Sequence, residues 1–154
     1  MTDAASDGAP DTASDSAEVS ATVELRSRVR NGRLALVVLS GIYLTLLLLQ
    51  AYFAGLFLMA DVEYRVAHQA LGWSLTYFPF LMLVAAAFSK PQRVFWVIFA
   101  IGLVLVFVQP FLVLLPIAEY GWVRAVHILN GVALVLLAHA QLRIALHLRR
   151  EATS

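Results

Sequence analysis

Cysteine is absent from the 154 residues, and charge is scarce where most of the chain lies. Without a thiol there is no disulfide staple, no thiolate metal site and no thioether-linked cofactor. Lys, Arg, Asp and Glu make up 14% of the sequence, against about 25% in an ordinary soluble domain. Of 21 such side chains, 13 fall in residues 1–33 and 149–154, which leaves 8 for the 115 residues between. Hydrophobic residues reach 61%. A middle of that composition has more apolar surface than one small core can bury, which excludes a water-soluble globule. The net charge of +1 carries little meaning, because it cancels an acidic start against basic flanks. There is no basic nucleic-acid surface, glycine-rich phosphate loop or nucleophile–base pair in the pattern, so no nucleic-acid partner is expected.

The chain divides into three parts. Residues 1–33 read as a disordered acidic tail with a basic flank: Asp3, Asp7, Asp11, Asp15, Glu18 and Glu24 stand without a base among Ala, Ser and Thr up to residue 24, too little apolar surface to offset ordering. It does not resemble a signal peptide, since no short apolar run follows a basic start. Residues 34–147 hold four apolar runs, Leu34–Ala60, Val66–Phe88, Val94–Ala118 and Trp122–His147. Each exceeds the roughly 20 helical residues that cross a hydrocarbon layer about 30 Å thick. Residues 148–154 form a short C-terminal tail.

The polar pieces between the runs, Asp61–Arg65, Ser89–Arg93 and Glu119–Gly121, are short, and short connections make successive helices antiparallel. The expected fold is therefore all-α: an integral membrane four-helix up-down-up-down bundle. Its orientation follows from Lys and Arg. Arg26, Arg28, Arg30, Arg33, Lys90, Arg93, Arg143, Arg149 and Arg150 fall on one side, and only Arg65 and Arg124 on the other. That bias predicts a cell-membrane protein with four spans and both termini cytoplasmic. Tyr64, Trp73, Tyr120 and Trp122 then lie near the outer interface. Pro79 and Pro110 remove backbone donors within the second and third spans and predict bends there, although membrane helices also simply tolerate proline.

Leucine-rich helices resemble one another, so a repeat is judged on polar residues. A shift of 59 superposes Gln50 on Gln109, Arg65 on Arg124, His68 on His127 and Gly72 on Gly131. This register predicts two helical hairpins that both begin inside, hence parallel repeats about an axis along the membrane normal. The second and fourth helices become diagonal partners, and their histidines face each other at one depth near the outer surface.

An imidazole within a span calls for a partner. Diagonals of a square bundle lie roughly 11–14 Å apart, which two histidine arms through one iron span and a direct His–His hydrogen bond does not. Gly72 and Gly131 follow their histidines by four residues, on the same face one turn deeper, where a missing side chain admits a flat macrocycle. Arg65 and Arg124 precede them by three, toward water, where guanidiniums pair with haem propionates. Gln50 and Gln109 lie deeper and could hydrogen-bond to an axial imidazole, a ring substituent or a substrate. The expected ligand is a haem, b-type in the first instance, with His68 and His127 on its iron. Each residue also has a plainer reading: arginines snorkelling to headgroups, glycines at helix contacts, histidines hydrogen-bonded at an interface. A zinc site drawing on Glu63, His68 and His127 is the weaker metal alternative, because zinc needs three or four close ligands. His139, about 18 Å deeper than His127, has no partner histidine at its depth within one chain. His147 falls among the terminal arginines.

The stretch from Gln50 to Leu56 with His68-Gln-Ala-Leu-Gly72, Gln109-Pro110 and His127-Ile-Leu-Asn-Gly131 resembles an uncharacterised family of small four-helix prokaryotic membrane proteins. It is also similar to one four-helix half of haem A synthase. The resemblance spans residues 34–147 and implies axial haem roles for His68 and His127 only. In the catalytic half of that family a glutamate stands three residues before the first histidine and an arginine just after it. Here those places hold Arg65 and Gln69, so the chain resembles the cofactor-holding half.

The expectation is a haem protein passing electrons within the lipid bilayer, with a quinone or an outer-side redox protein as partner. Two alternatives stand beside it. One is a homodimeric haem-modifying oxidase similar to haem A synthase; the other is a non-catalytic assembly or regulatory subunit whose polar residues serve helix packing.

Overall fold

The computed structural model describes residues 12–114 and 120–151. It is an all-helical four-helix bundle: α1 (Thr12–Met59), α2 (Tyr64–Ser89), α3 (Arg93–Leu114) and α4 (Gly121–Glu151). Each of the four is long and apolar enough to cross a membrane. Both interior prolines sit within continuous helix, Pro79 in α2 and Pro110 in α3.

The helix boundaries have local causes. At the end of α1 the amides of Ala60 and Asp61 both turn back to the Leu56 carbonyl, at 2.8 and 3.1 Å. The Asp61 carboxylate then accepts from the Glu63 amide at 3.0 Å, a local turn of the kind aspartate favours, and α2 starts at the next residue. Helix α2 stops because Lys90 takes a left-handed conformation (φ 49°, ψ 59°) and Pro91 follows, which cannot continue a helix.

Two expectations about the ends differ from the structure. Residues 12–33, read as part of a disordered tail, are helical and continuous with the first apolar run. Alanine, glutamate, arginine and leucine are good helix formers, and Glu24 pairs with Arg28 one turn away at 2.5 Å. Residues 148–151, read as tail, complete α4. Residues 1–11, 152–154 and the loop residues 115–119, including Glu119, lie outside the described residues.

Helix α1 is the hub: it packs on α2 and α4, α3 packs on α4, and α2 and α3 touch least of the packed pairs. The core runs along the shared seams, with Leu36, Tyr43 and Leu47 from α1, Leu75 and Met82 from α2, Phe95, Phe99 and Val106 from α3, and Leu134 and Ala138 from α4. At one end Gly32 lies so close to α2 that an added Cβ would stand 2.8 Å from the Phe88 carbonyl carbon. Next to it, Arg33 donates from Nε to the Ser89 carbonyl at 3.3 Å and from Nη1 to the Leu148 carbonyl at 2.8 Å. One guanidinium thus reaches carbonyls in the last turns of two helices, where intrahelical partners run out. Despite these seams, only 17–33% of each apolar window is buried inside the bundle. Leu48, Tyr77, Val104 and Leu136 are all exposed.

Candidate functional site: two histidine–glutamine pairs

At the opposite end of the bundle from Arg33, Gln50 meets the second turn of α2. His68 Nδ1 donates to the Gln50 backbone carbonyl at 3.1 Å, and the Gln50 amide Nε2 lies 3.4 Å from His68 Nε2. The same arrangement recurs between α3 and α4. His127 Nδ1 donates to the Gln109 carbonyl at 3.3 Å, and Gln109 Nε2 stands 3.3 Å from His127 Nε2. All four residues are half-buried.

The chemistry of these contacts fixes the tautomer. A carbonyl only accepts, so Nδ1 carries the proton in both rings. In the neutral imidazole Nε2 is then a lone-pair acceptor, which receives the glutamine NH2. A backbone carbonyl on Nδ1 and a lone pair on Nε2 is the tautomer in which histidine binds a metal, once the amide here leaves that lone pair.

The two pairs face each other. The His68 and His127 ring centroids are 6.3 Å apart with their planes inclined at 70°. Two metal–nitrogen bonds of about 2.0–2.1 Å, each carried on about 1.2 Å to its ring centre, put trans imidazole centroids about 6.4 Å apart. The separation is too long for a direct hydrogen bond between the rings and matches that of two imidazoles on one metal, with each Nε2 turned here to its glutamine amide.

The remaining expected residues fall in different places. Gly72 and Gly131 lie against the glutamine amides: an added Cβ at Gly72 would stand 2.9 Å from Gln50 Nε2, and at Gly131 3.6 Å from Gln109 Nε2. In this arrangement the space each glycine opens is used by an amide. Arg65 and Arg124 are exposed, one turn nearer the helix starts than the histidines. Glu63 is exposed as well, and among the described residues no group of three or more His, Asp and Glu converges on a point, so the zinc alternative finds no ligand set there. His139 is exposed on α4, and His147 pairs with Glu151 at 3.1 Å.

One participant was not singled out in the sequence. Asn130 is buried, donates to the Leu105 carbonyl at 2.9 Å and donates to Gln109 Oε1. Its signal was a lone amide in an apolar run, directly before Gly131. The repeat register pairs it with Leu71 and so hid it, because only matching positions drew attention.

Comparison with known protein families, with curated proteins and with solved structures finds no match for this chain.

Proposed function

We propose that this protein is a multi-pass membrane b-type haem protein that transfers electrons, with one haem near the outer face held by His68 and His127. The observation that carries the reading is the 6.3 Å separation of two facing imidazoles, each with its Nδ1 proton engaged by a backbone carbonyl. Membrane insertion is supported by the exposed apolar surface of all four helices, which lipid accepts and water penalises at about 25 cal/mol per Å². The helices alternate in direction as two parallel hairpin repeats, with both termini on the cytoplasmic side as the arginine distribution directs.

A haem bound between the rings would supply a one-electron redox centre. The chain would supply the rest. His68 and His127 would hold its iron, while the Gln50 and Gln109 carbonyls keep the protons on Nδ1. Each glutamine amide yields Nε2 and remains at hand for a ring substituent. Arg65 and Arg124, at the water-facing edge, suit two propionates. With two protein imidazoles holding the iron, the chemistry supplied would be electron transfer with a quinol or an outer-side redox protein, rather than oxygen chemistry.

The test is expression with an ample haem supply, purification in detergent, and a reduced-minus-oxidised spectrum. The expected result is a sharp visible band pair that His68→Ala and His127→Ala each abolish while helicity is retained. One observation favours a second reading: both Nε2 atoms already receive a glutamine amide, which by itself clasps α1 to α2 and α3 to α4. On that reading the wild-type protein is colourless, and the same two substitutions lower its melting temperature.

A further inference from the structure

The two histidine–glutamine pairs are not equivalent. Around His127 the glutamine is held by a third side chain. Asn130 is anchored on the Leu105 carbonyl at 2.9 Å and donates to Gln109 Oε1. With its oxygen occupied, Gln109 turns its NH2 toward His127, meeting Nε2 at 3.3 Å and the backbone carbonyl at 3.1 Å. Around His68 the corresponding residue is Leu71, which has no donor to offer. Gln50 Oε1 is buried and has no hydrogen-bond partner. A buried amide oxygen left without a donor is unfavourable, so rotation of Gln50 away from His68 meets less resistance than the same motion of Gln109.

We infer that Asn130 is a positioning residue for His127, acting through Gln109, and that His127, whose lone pair has the better-held amide to return to, is the exchangeable imidazole of the pair. The inequivalence stands on the contacts alone. Its consequence for ligand binding rests on the haem reading above: an added neutral heteroaromatic base displaces His127, on the α3–α4 side, and leaves His68 in place.

The first arm of the test needs no haem. Full-length protein labelled with nitrogen-15 at histidine, made under haem-limiting conditions and held in detergent, is followed by side-chain correlation spectra. Both rings show the Nδ1–H tautomer, and hydrogen exchange at His127 is about fivefold slower than at His68, as one ordinary net hydrogen bond predicts. Asn130→Leu raises the His127 rate to that of His68. Leu71→Asn, which installs the missing donor, slows His68 by about the same factor and keeps the test alive if Asn130→Leu does not fold.

The second arm titrates imidazole into the haem-loaded protein and follows the visible spectrum. Asn130→Leu lowers imidazole affinity about fivefold, and Leu71→Asn does not lower it. Equal exchange at the two histidines in the wild type, or no response of His68 to Leu71→Asn, overturns the inference. A protein that takes up no haem overturns the ligand-exchange consequence and the haem reading with it, while the histidine spectra still decide the role of Asn130.

Discussion

The two ends of the bundle are built on different principles. At the Arg33 end the helices are locked by backbone proximity: Gly32 is pressed onto the Phe88–Ser89 backbone, and one guanidinium closes the carbonyls of Ser89 and Leu148. At the histidine end the helices are joined through side chains with rotatable amides, half-buried, and one buried amide oxygen has no donor. The first end has little freedom to rearrange. The second leaves lone pairs on Nε2 that a ligand can take by turning a glutamine. On the haem reading proposed above, stability and chemistry sit at opposite ends of the same four helices, the separation a cofactor site needs if it is to open without loosening the fold.

The sharpest way to break that division is Gly32→Leu. Any Cβ there meets backbone at 2.8 Å, and backbone cannot swing aside as a side-chain tip can. Separating α1 from α2 should cost at least the roughly 1–3 kcal/mol typical of overpacking, and Arg33 would lose its alignment as well. A large drop in melting temperature in detergent is expected. An unchanged melt would show that the Arg33 end is looser than its geometry says.

Arg33→Leu comes next. It removes two charge-assisted hydrogen bonds and leaves helix-terminal carbonyls of α2 and α4 without this donor, at a cost of about 2–3 kcal/mol. Arg33→Lys should recover part of the loss, since an ammonium keeps the charge but lacks the planar fork that reaches two carbonyls together. Neither change should disturb the tautomers of His68 and His127, if the two ends are as independent as proposed.

What was legible in the sequence follows the same division. The four helices and the Gln, His and Gly positions could be read because apolar length and a 59-residue shift are periodic signals that need no coordinates. A hydrogen bond to an imidazole was one of three roles open to Gln50 and Gln109; which glutamine meets which histidine came from the structure, as Gln50 with His68 and Gln109 with His127. Asn130 and Arg33 could not be read this way. Each acts through a partner distant in sequence, the Leu105 carbonyl for one and those of Ser89 and Leu148 for the other, and a backbone carbonyl leaves no residue-specific trace. Arg33 looked like one more member of a basic flank. The helical extension from Thr12 was hidden for a different reason: acidic composition was weighed as a sign of disorder, while the helix propensity of the same alanines and glutamates was not.

The smallest effects sharpen the comparison within the histidine end itself. Glycine to alanine inside a helix ordinarily stabilises by about 0.5–1 kcal/mol, provided the methyl has room. At Gly131 the nearest atom to a new Cβ is Gln109 Nε2 at 3.6 Å, an ordinary contact, whereas at Gly72 it is Gln50 Nε2 at 2.9 Å. Gly131→Ala should therefore be neutral or slightly stabilising and leave His127 undisturbed. Gly72→Ala should forfeit that gain by pushing the Gln50 amide away, which is cheap because its oxygen has no partner to lose. The melting temperatures of the two variants should then differ only slightly, while the His68 Nε2 resonance moves in one and the His127 resonance stays in place in the other. Identical spectral responses at the two glycines would mean that the glutamines are equally free, and that Asn130 confers no distinction between the two halves.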